Sequence, residues 1–232
     1  MKHASRLLLS LTAGAFLLST AAASAQQALP SCSSVADPTF TGRCTASAEV
    51  FRFTIREMRL RATDGSFATL GSGDRSFDVA QVSAGQAVGD YASGNSIPTG
   101  TYNAIVPTLN GVWTVQGGYE QAVDGGVLGD CVTTSGGYSS NPADKGEMST
   151  DLAAFFTANP SSLPPDMQVS GSDLIITDTS ASGLPLTVAE GDVIDFTISF
   201  DAGSSIDFEY ANGNCTGAYI GPLGVTLSFT KQ

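Results

Sequence analysis

Alternation of apolar and polar residues is clearest toward the end of the chain. Ile194, Phe196, Ile198 and Phe200 fall on one side of an extended segment and Asp195, Thr197, Ser199 and Asp201 on the other, the period of two expected of a strand with one buried face. Ile206, Phe208 and Tyr210 repeat it against Asp207 and Glu209. Joined as a hairpin, the two segments keep their apolar sets together if Phe200 stands opposite Ile206, with an odd-length loop around Gly203. Upstream, Phe51, Phe53 and Ile55 share a face before the phase moves to Met58 and Leu60, which predicts a β-bulge near Arg56-Glu57. Further strands are expected at 66–71, 76–80, 101–106, 111–116, 127–133, 172–177, 184–188 and 223–230.

One segment breaks the pattern. Leu152, Phe155 and Phe156 have i, i+3, i+4 spacing, Ser149 or Thr150 can cap the start, and Asn159-Pro160 can end it, so 149–158 reads as a short helix. The stretches 134–148 and 159–171, rich in Ser, Gly, Asn and Pro, read as its flanking loops. The fold class expected is all-β, an antiparallel β-sandwich (prealbumin-like or Ig-like) with one short helix.

The beginning of the chain is different in kind. Lys2 and Arg6 precede an apolar run from Leu7 to Leu18, and Ala23-Ser24-Ala25 supplies an A-x-A site, so residues 1–25 read as a signal peptide and the working protein as exported to periplasm, cell surface or beyond. A weakly patterned N-terminal extension at 26–46 then leads into one β-sandwich domain at 47–232. Cleavage after Ala25 removes the single histidine, His3, and with it Ser-His-Asp and Cys-His nucleophile chemistry.

Charge narrows the partners. With 22 Asp+Glu against 10 Lys+Arg, the chain carries a formal charge of −12, a surface that repels nucleic acid and anionic membranes. Arg43, Arg52, Arg56, Arg59, Arg61 and Arg75 all precede residue 76, and a solvated strand face accounts for them more simply than an anionic-ligand patch. No second apolar run approaches the roughly 20 residues that span a bilayer.

Cys32, Cys44, Cys131 and Cys215 make an even set in an exported chain, so disulfides are the default. Of three connectivities, the favoured one joins Cys32 to Cys44 across a short loop and Cys131 to Cys215 across a long one. Leu29-Pro30-Ser31-Cys32 offers a rival reading as a lipid-attachment site, which the proline and the polar Gln26-Gln27 oppose.

Three stretches resemble a family of bacterial exported domains of unknown function. The first runs from Phe53-Thr54-Ile55 through Leu60 to the turn Asp64-Gly65; the second from Ser76-Phe77-Asp78-Val79-Ala80 through Ala84-Gly85 to Ile97-Pro98-Thr99-Gly100-Thr101-Tyr102; the third from Val188-Ala189-Glu190-Gly191-Asp192 into Phe196 to Asp201. The resemblance implies a prealbumin-like or carbohydrate-binding-like β-sandwich with a surface or matrix role, and brings no catalytic residues. In physical terms Pro98 fixes a turn and Tyr102 starts a strand with a buried ring, which specifies a corner.

Candidate sites follow from residue chemistry. Trp113, Tyr119 and Tyr138 are candidate stacking platforms for glycan, although Trp113, between Val112 and Val115 in a strand, fits a core position better. Asp124, Asp130, Asp144 and Asp151 lie in or near loops that could hold calcium, without the EF-hand pattern; no other cofactor is implied. On the hairpin register above, Asp201, Asp207 and Glu209 share a polar face with Thr197 and Ser199, which suits a carboxylate-based glycosidase or lyase only if that face is not simply solvated. Asn214-Cys215-Thr216 fits a glycosylation sequon, crowded by any disulfide at Cys215. The expected function is non-enzymatic, in cell-surface or matrix assembly or adhesion, with self-association through the 26–46 arm or the strand at 223–230; the alternatives are a carbohydrate-binding module and the carboxylate enzyme.

Overall fold

The structure, a computed structural model, describes residues 29–35, 37–81, 97–120, 129–192, 194–221 and 223–231. The signal segment 1–25, Ala84-Gly85 and Asp124 lie outside the described residues. In chain order the strands are β1 (Gly42–Ala46), β2 (Val50–Ala62), β3 (Phe67–Asp78), β4 (Gly100–Asn110), β5 (Val112–Gln116), β6 (Gly118–Tyr119), β7 (Cys131–Thr134) and β8 (Gly137–Ser139). They continue as β9 (Met148–Asp151), β10 (Met167–Ser170), β11 (Asp173–Ile176), β12 (Leu186–Val188), β13 (Ile194–Asp201), β14 (Ile206–Ala211), β15 (Asn214–Ile220) and β16 (Gly224–Lys231). A short helix, α1 (Leu152–Ala158), separates β9 from β10. The architecture is all-β, antiparallel and sandwich-like, with one large sheet curled into half a barrel.

The large sheet is organised by β2, whose Phe51, Phe53, Ile55, Met58 and Leu60 are all buried. The phase change among them is the expected bulge: the pairing of β2 with both β3 and β4 shifts between Ile55 and Glu57, and against β4 Arg56 is the extra residue. Three of its arginines meet neighbouring carboxylates, Arg52 with Glu147, Arg56 with Asp173 at 3.0 Å and Arg59 with Glu57 at 3.2 Å. Segments 66–71 and 76–80, expected as two strands, run together as β3, closed onto β2 by a turn in which Asp64 Oδ1 accepts from the Ser66 amide.

Strands β4 and β5 follow the same edge of β2, broken at Gly111. Here the chain forks: the Gly111 amide donates to Ser172 O and its carbonyl accepts from the Leu152 amide. A Cβ at this position would come within 2.5 Å of the Ala153 Cβ and 2.8 Å of Ser172 O, so a side chain here would force α1 and the β10–β11 turn away from the sheet. The corner at Pro98 forms as its chemistry implies, with Tyr102 buried and its hydroxyl donating to Pro98 O at 2.8 Å.

Helix α1 starts later than the sequence suggests. Ser149 and Thr150 are held in β9 against Thr114 and Trp113, so the cap falls to Asp151, whose Oδ1 accepts from the Ala154 amide at 2.9 Å. Leu152 and Phe156 pack against the core as expected, whereas Phe155 is 47% exposed. The stretches read as flanking loops contain β8 and β10.

The expected hairpin between 194–201 and 206–210 does not form. β13 pairs instead with β16, Phe200 opposite Val225, and β14 lies between β1 and β15, Ile206 opposite both Ala46 and Ile220. The turn after Asp201, where Oδ1 accepts from the Gly203 amide, thus carries the chain from one sheet to another. Alternation alone states which face is buried, not which strand is the neighbour. The two sets still meet in one core, where Phe200 of β13 packs on Phe53 of β2 at a centroid distance of 5.2 Å.

Nor is 26–46 wholly an extension. Its last five residues are β1, and Cys32 is joined to Cys44 with both cysteines buried in the core. The second disulfide joins Cys131 in β7 to Cys215 in β15. Two disulfides are what a chain maturing in an oxidising compartment forms. No helix among the described residues is long and apolar enough to cross a membrane.

Candidate functional site

β14 is the central strand of its sheet, paired along one edge with β1 and along the other with β15. Ile206, Phe208 and Tyr210 face the core, while Asp207 and Glu209 point to the opposite side together with Arg43 of β1 and Tyr219 of β15. These four side chains form a connected cluster. Arg43 Nη2 ion-pairs with Asp207 Oδ2, the Arg43 guanidinium carbon lies 5.2 Å from the centroid of the Tyr219 ring, and Tyr219 Oη donates to Glu209 Oε2 at 2.8 Å.

The cluster forms one side of a groove of about 410 Å³. Arg43, Glu209, Tyr219, Ala218 and Ile220 come from the three-stranded sheet, and Thr150, Leu152 and Phe155 from β9 and α1. Tyr219 and Phe155 are 46% and 47% exposed. A groove with aromatic rings from both sides, an arginine and a carboxylate offers apolar faces and directional donors and acceptors together, the combination that orients a polar ligand.

The electrostatics separate the two carboxylates. Burial raises the Asp207 carboxyl above its ordinary value, although the Arg43 charge pulls the other way. Its Oδ1 has no hydrogen-bond partner among the described residues. The Tyr219 phenol is raised, first because its neutral form donates to Glu209 and then by burial.

The residues expected to carry function are distributed otherwise. Trp113 sits in the core, edge-on to Phe51, with its indole N–H donating to Asn110 O at 3.0 Å. Tyr119, in β6, is half-buried against the core, where it raises the phenol of the fully buried Tyr210 after the larger effect of burial itself. Tyr138, in β8, is exposed and close enough to Tyr219 to raise its phenol too. Of the three expected platforms, Tyr138 alone is an exposed ring beside the groove.

The polar face expected for Asp201, Asp207 and Glu209 is not one surface. Asp201 belongs to the end of β13, in another sheet; Asp207 is buried beneath its ion pair; Glu209 alone lines the groove. Among the calcium candidates, Asp144 accepts from Ser139 Oγ and Asn141 Nδ2 and Asp151 caps α1. Asp130 lies just before β7, close enough to raise the Tyr210 phenol. No group of three or more His, Cys, Asp or Glu residues able to hold a metal ion occurs among the described residues.

Sequence reasoning missed Arg43, Thr150, Phe155 and Tyr219 as a set. The one local signal that could have found part of it is Asn212-Gly213, a pair that favours a two-residue hairpin and so pairs β14 with β15; the register shift between Glu209 and Tyr210 that then sets Tyr219 opposite Asp207 has no such signal. Set against protein-family models, curated proteins and solved structures, the chain matches none.

Proposed function

We propose that this chain is a non-enzymatic exported binding protein that holds glycan at the cell exterior, in adhesion or matrix attachment. The observation that carries this reading is the exposed Tyr219 ring, fixed by Glu209 and Arg43 at the side of a groove that Phe155 also lines. A sugar presents C–H faces that stack on such rings and hydroxyls that bond to the flanking charges. The two disulfides support the location.

Assembly by strand donation is less well supported. The arm is engaged within its own chain through β1, and β16 is bridged at Ser228 by Ser182. Carboxylate hydrolysis takes two carboxyl groups flanking one bond, and among the described residues Glu209 is the one carboxylate that lines the groove. A glycan array probed with residues 26–232 tests the proposal. Hits lost in both Tyr219→Ala and Phe155→Ala support it; an array without hits, or hits indifferent to both changes, overturns it.

A further inference from the structure

A second hollow lies inside the sandwich. It has a volume of about 640 Å³ and opens between the large sheet, α1 and the strands β13, β15 and β16, within the range of roughly 300–1,000 Å³ typical of small-molecule sites. Its walls include Phe53, Met58, Leu109, Trp113, Phe156 and Phe200. Protein interiors are close-packed, with few voids larger than a water molecule, so an apolar hollow of this size is suited to an apolar occupant. Met58, one of its fully buried wall residues, is unbranched and adapts to irregular shapes.

The charged residues of the hollow share one sign. Asp166, Asp178 and Ser180 contribute to the lining, and among the described residues no lysine or arginine does. Asp178 Oδ1 is engaged by the Ser180 amide and hydroxyl, and Asp166 is exposed where β10 begins. A fatty carboxylate would therefore meet negative charge and no cation, whereas an amine would find a counter-charge at Asp166. We infer that the hollow binds a single-chain amphiphile, its alkyl chain along the aromatic and aliphatic walls and its cationic amine head at Asp166. Leu152 and Ile220 form a wall common to the hollow and the outer groove, but Tyr219, Glu209 and Arg43 line the groove alone, and the inference does not depend on the glycan reading.

The chain's only tryptophan lines this hollow, so its emission reports occupancy. Residues 26–232 would be titrated with dodecylamine, dodecanol and dodecanoate, each below its micelle concentration, following Trp113 fluorescence and confirming by calorimetry. The expected order of affinity is amine, alcohol, carboxylate. Asp166→Asn should weaken the amine by about fivefold, the size of an exposed charge pair, and leave the alcohol unchanged. Asp166→Lys should shift preference toward dodecanoate, and Tyr219→Ala should alter none of the three. Absence of saturable change with every probe, dodecanoate binding as tightly as the amine, or indifference to both Asp166 substitutions would overturn the inference.

Discussion

Tyr219 Oη donates a 2.8 Å hydrogen bond to Glu209 Oε2 across the β14–β15 pair. The bond exists only while the phenol is protonated, and phenolate would also repel the carboxylate, so both effects raise the tyrosine. Glu209→Gln removes the negative charge, and the Tyr219 phenol should fall toward its ordinary value of 10.0. NMR titration of protein carrying labelled tyrosine would follow it directly. An unchanged Tyr219 titration would mean that the bond does not hold the ring in solution.

Asp207 should give stability an unusual pH dependence. Its folded pKa is raised by burial, so between the ordinary value of 3.8 and that raised value the native state binds more protons than the unfolded state. Unfolding free energy then falls as pH increases through the window. Relative to Asp207→Asn, which does not titrate, the wild type should lose stability from acid toward neutral pH and then level off. Urea unfolding of both proteins at several pH values checks the sign; a wild type that gains on the variant as pH rises would show that the Arg43 pair outweighs burial.

What could be read from the sequence was local. The bulge at Arg56, the corner from Pro98 to Tyr102 and the turn at Asp64-Gly65 each depend on residues within a few positions of one another, and all appear in the structure. The favoured cysteine pairing appears too. The partner of 194–201 was not legible, because Ile194, Phe196, Ile198 and Phe200 alternate identically whether they face 206–210 or 224–231. The groove was hidden for a related reason. Arg43, Thr150, Phe155 and Tyr219 come from four elements, and no spacing along the chain connects them; Phe155 shares the helical spacing of Leu152 and Phe156, yet it lies exposed while they pack against the core.

The two disulfides should differ in worth. In the chain-entropy model stabilisation grows with loop length, and sequence separations of 12 and 84 correspond to about 3 and about 4.5 kcal/mol. Replacing Cys131 and Cys215 together with serine should therefore lower stability more than replacing Cys32 and Cys44 together. Chemical unfolding of the two double variants would decide, and the reverse order would indicate that burial of Cys32 and Cys44 in the core dominates over loop closure.

Tyr210 is fully buried with its hydroxyl unpaired among the described residues. An unmet buried donor typically costs about 1–3 kcal/mol. Tyr210→Phe keeps the ring, which packs against Phe40, and should raise stability by about 1 kcal/mol. A matching loss in thermal unfolding would show that the hydroxyl has a partner in solution.

The β14–β15 hairpin turns on Asn212 and Gly213, both at positive φ, 51° and 74°, as a two-residue turn of the twist-compatible kind requires. Glycine meets that need without steric penalty, and a second constraint applies at the same atom: a Cβ on Gly213 would stand 2.3 Å from Pro38 O. Pro38 lies in the loop between Cys32 and β1, and the Gly213 amide donates to Phe40 O in that loop. Gly213→Ala should thus cost more than the roughly 1 kcal/mol of backbone preference alone, because the loop must move away from the hairpin. Gly213→Asn, which tolerates the left-handed region but also carries a Cβ, separates the two effects. If asparagine restores wild-type stability, conformation was the whole of the penalty; if it destabilises as alanine does, the contact with Pro38 dominates. The second outcome is expected, and it would couple this turn to the placement of Tyr219 on the strand that leaves it.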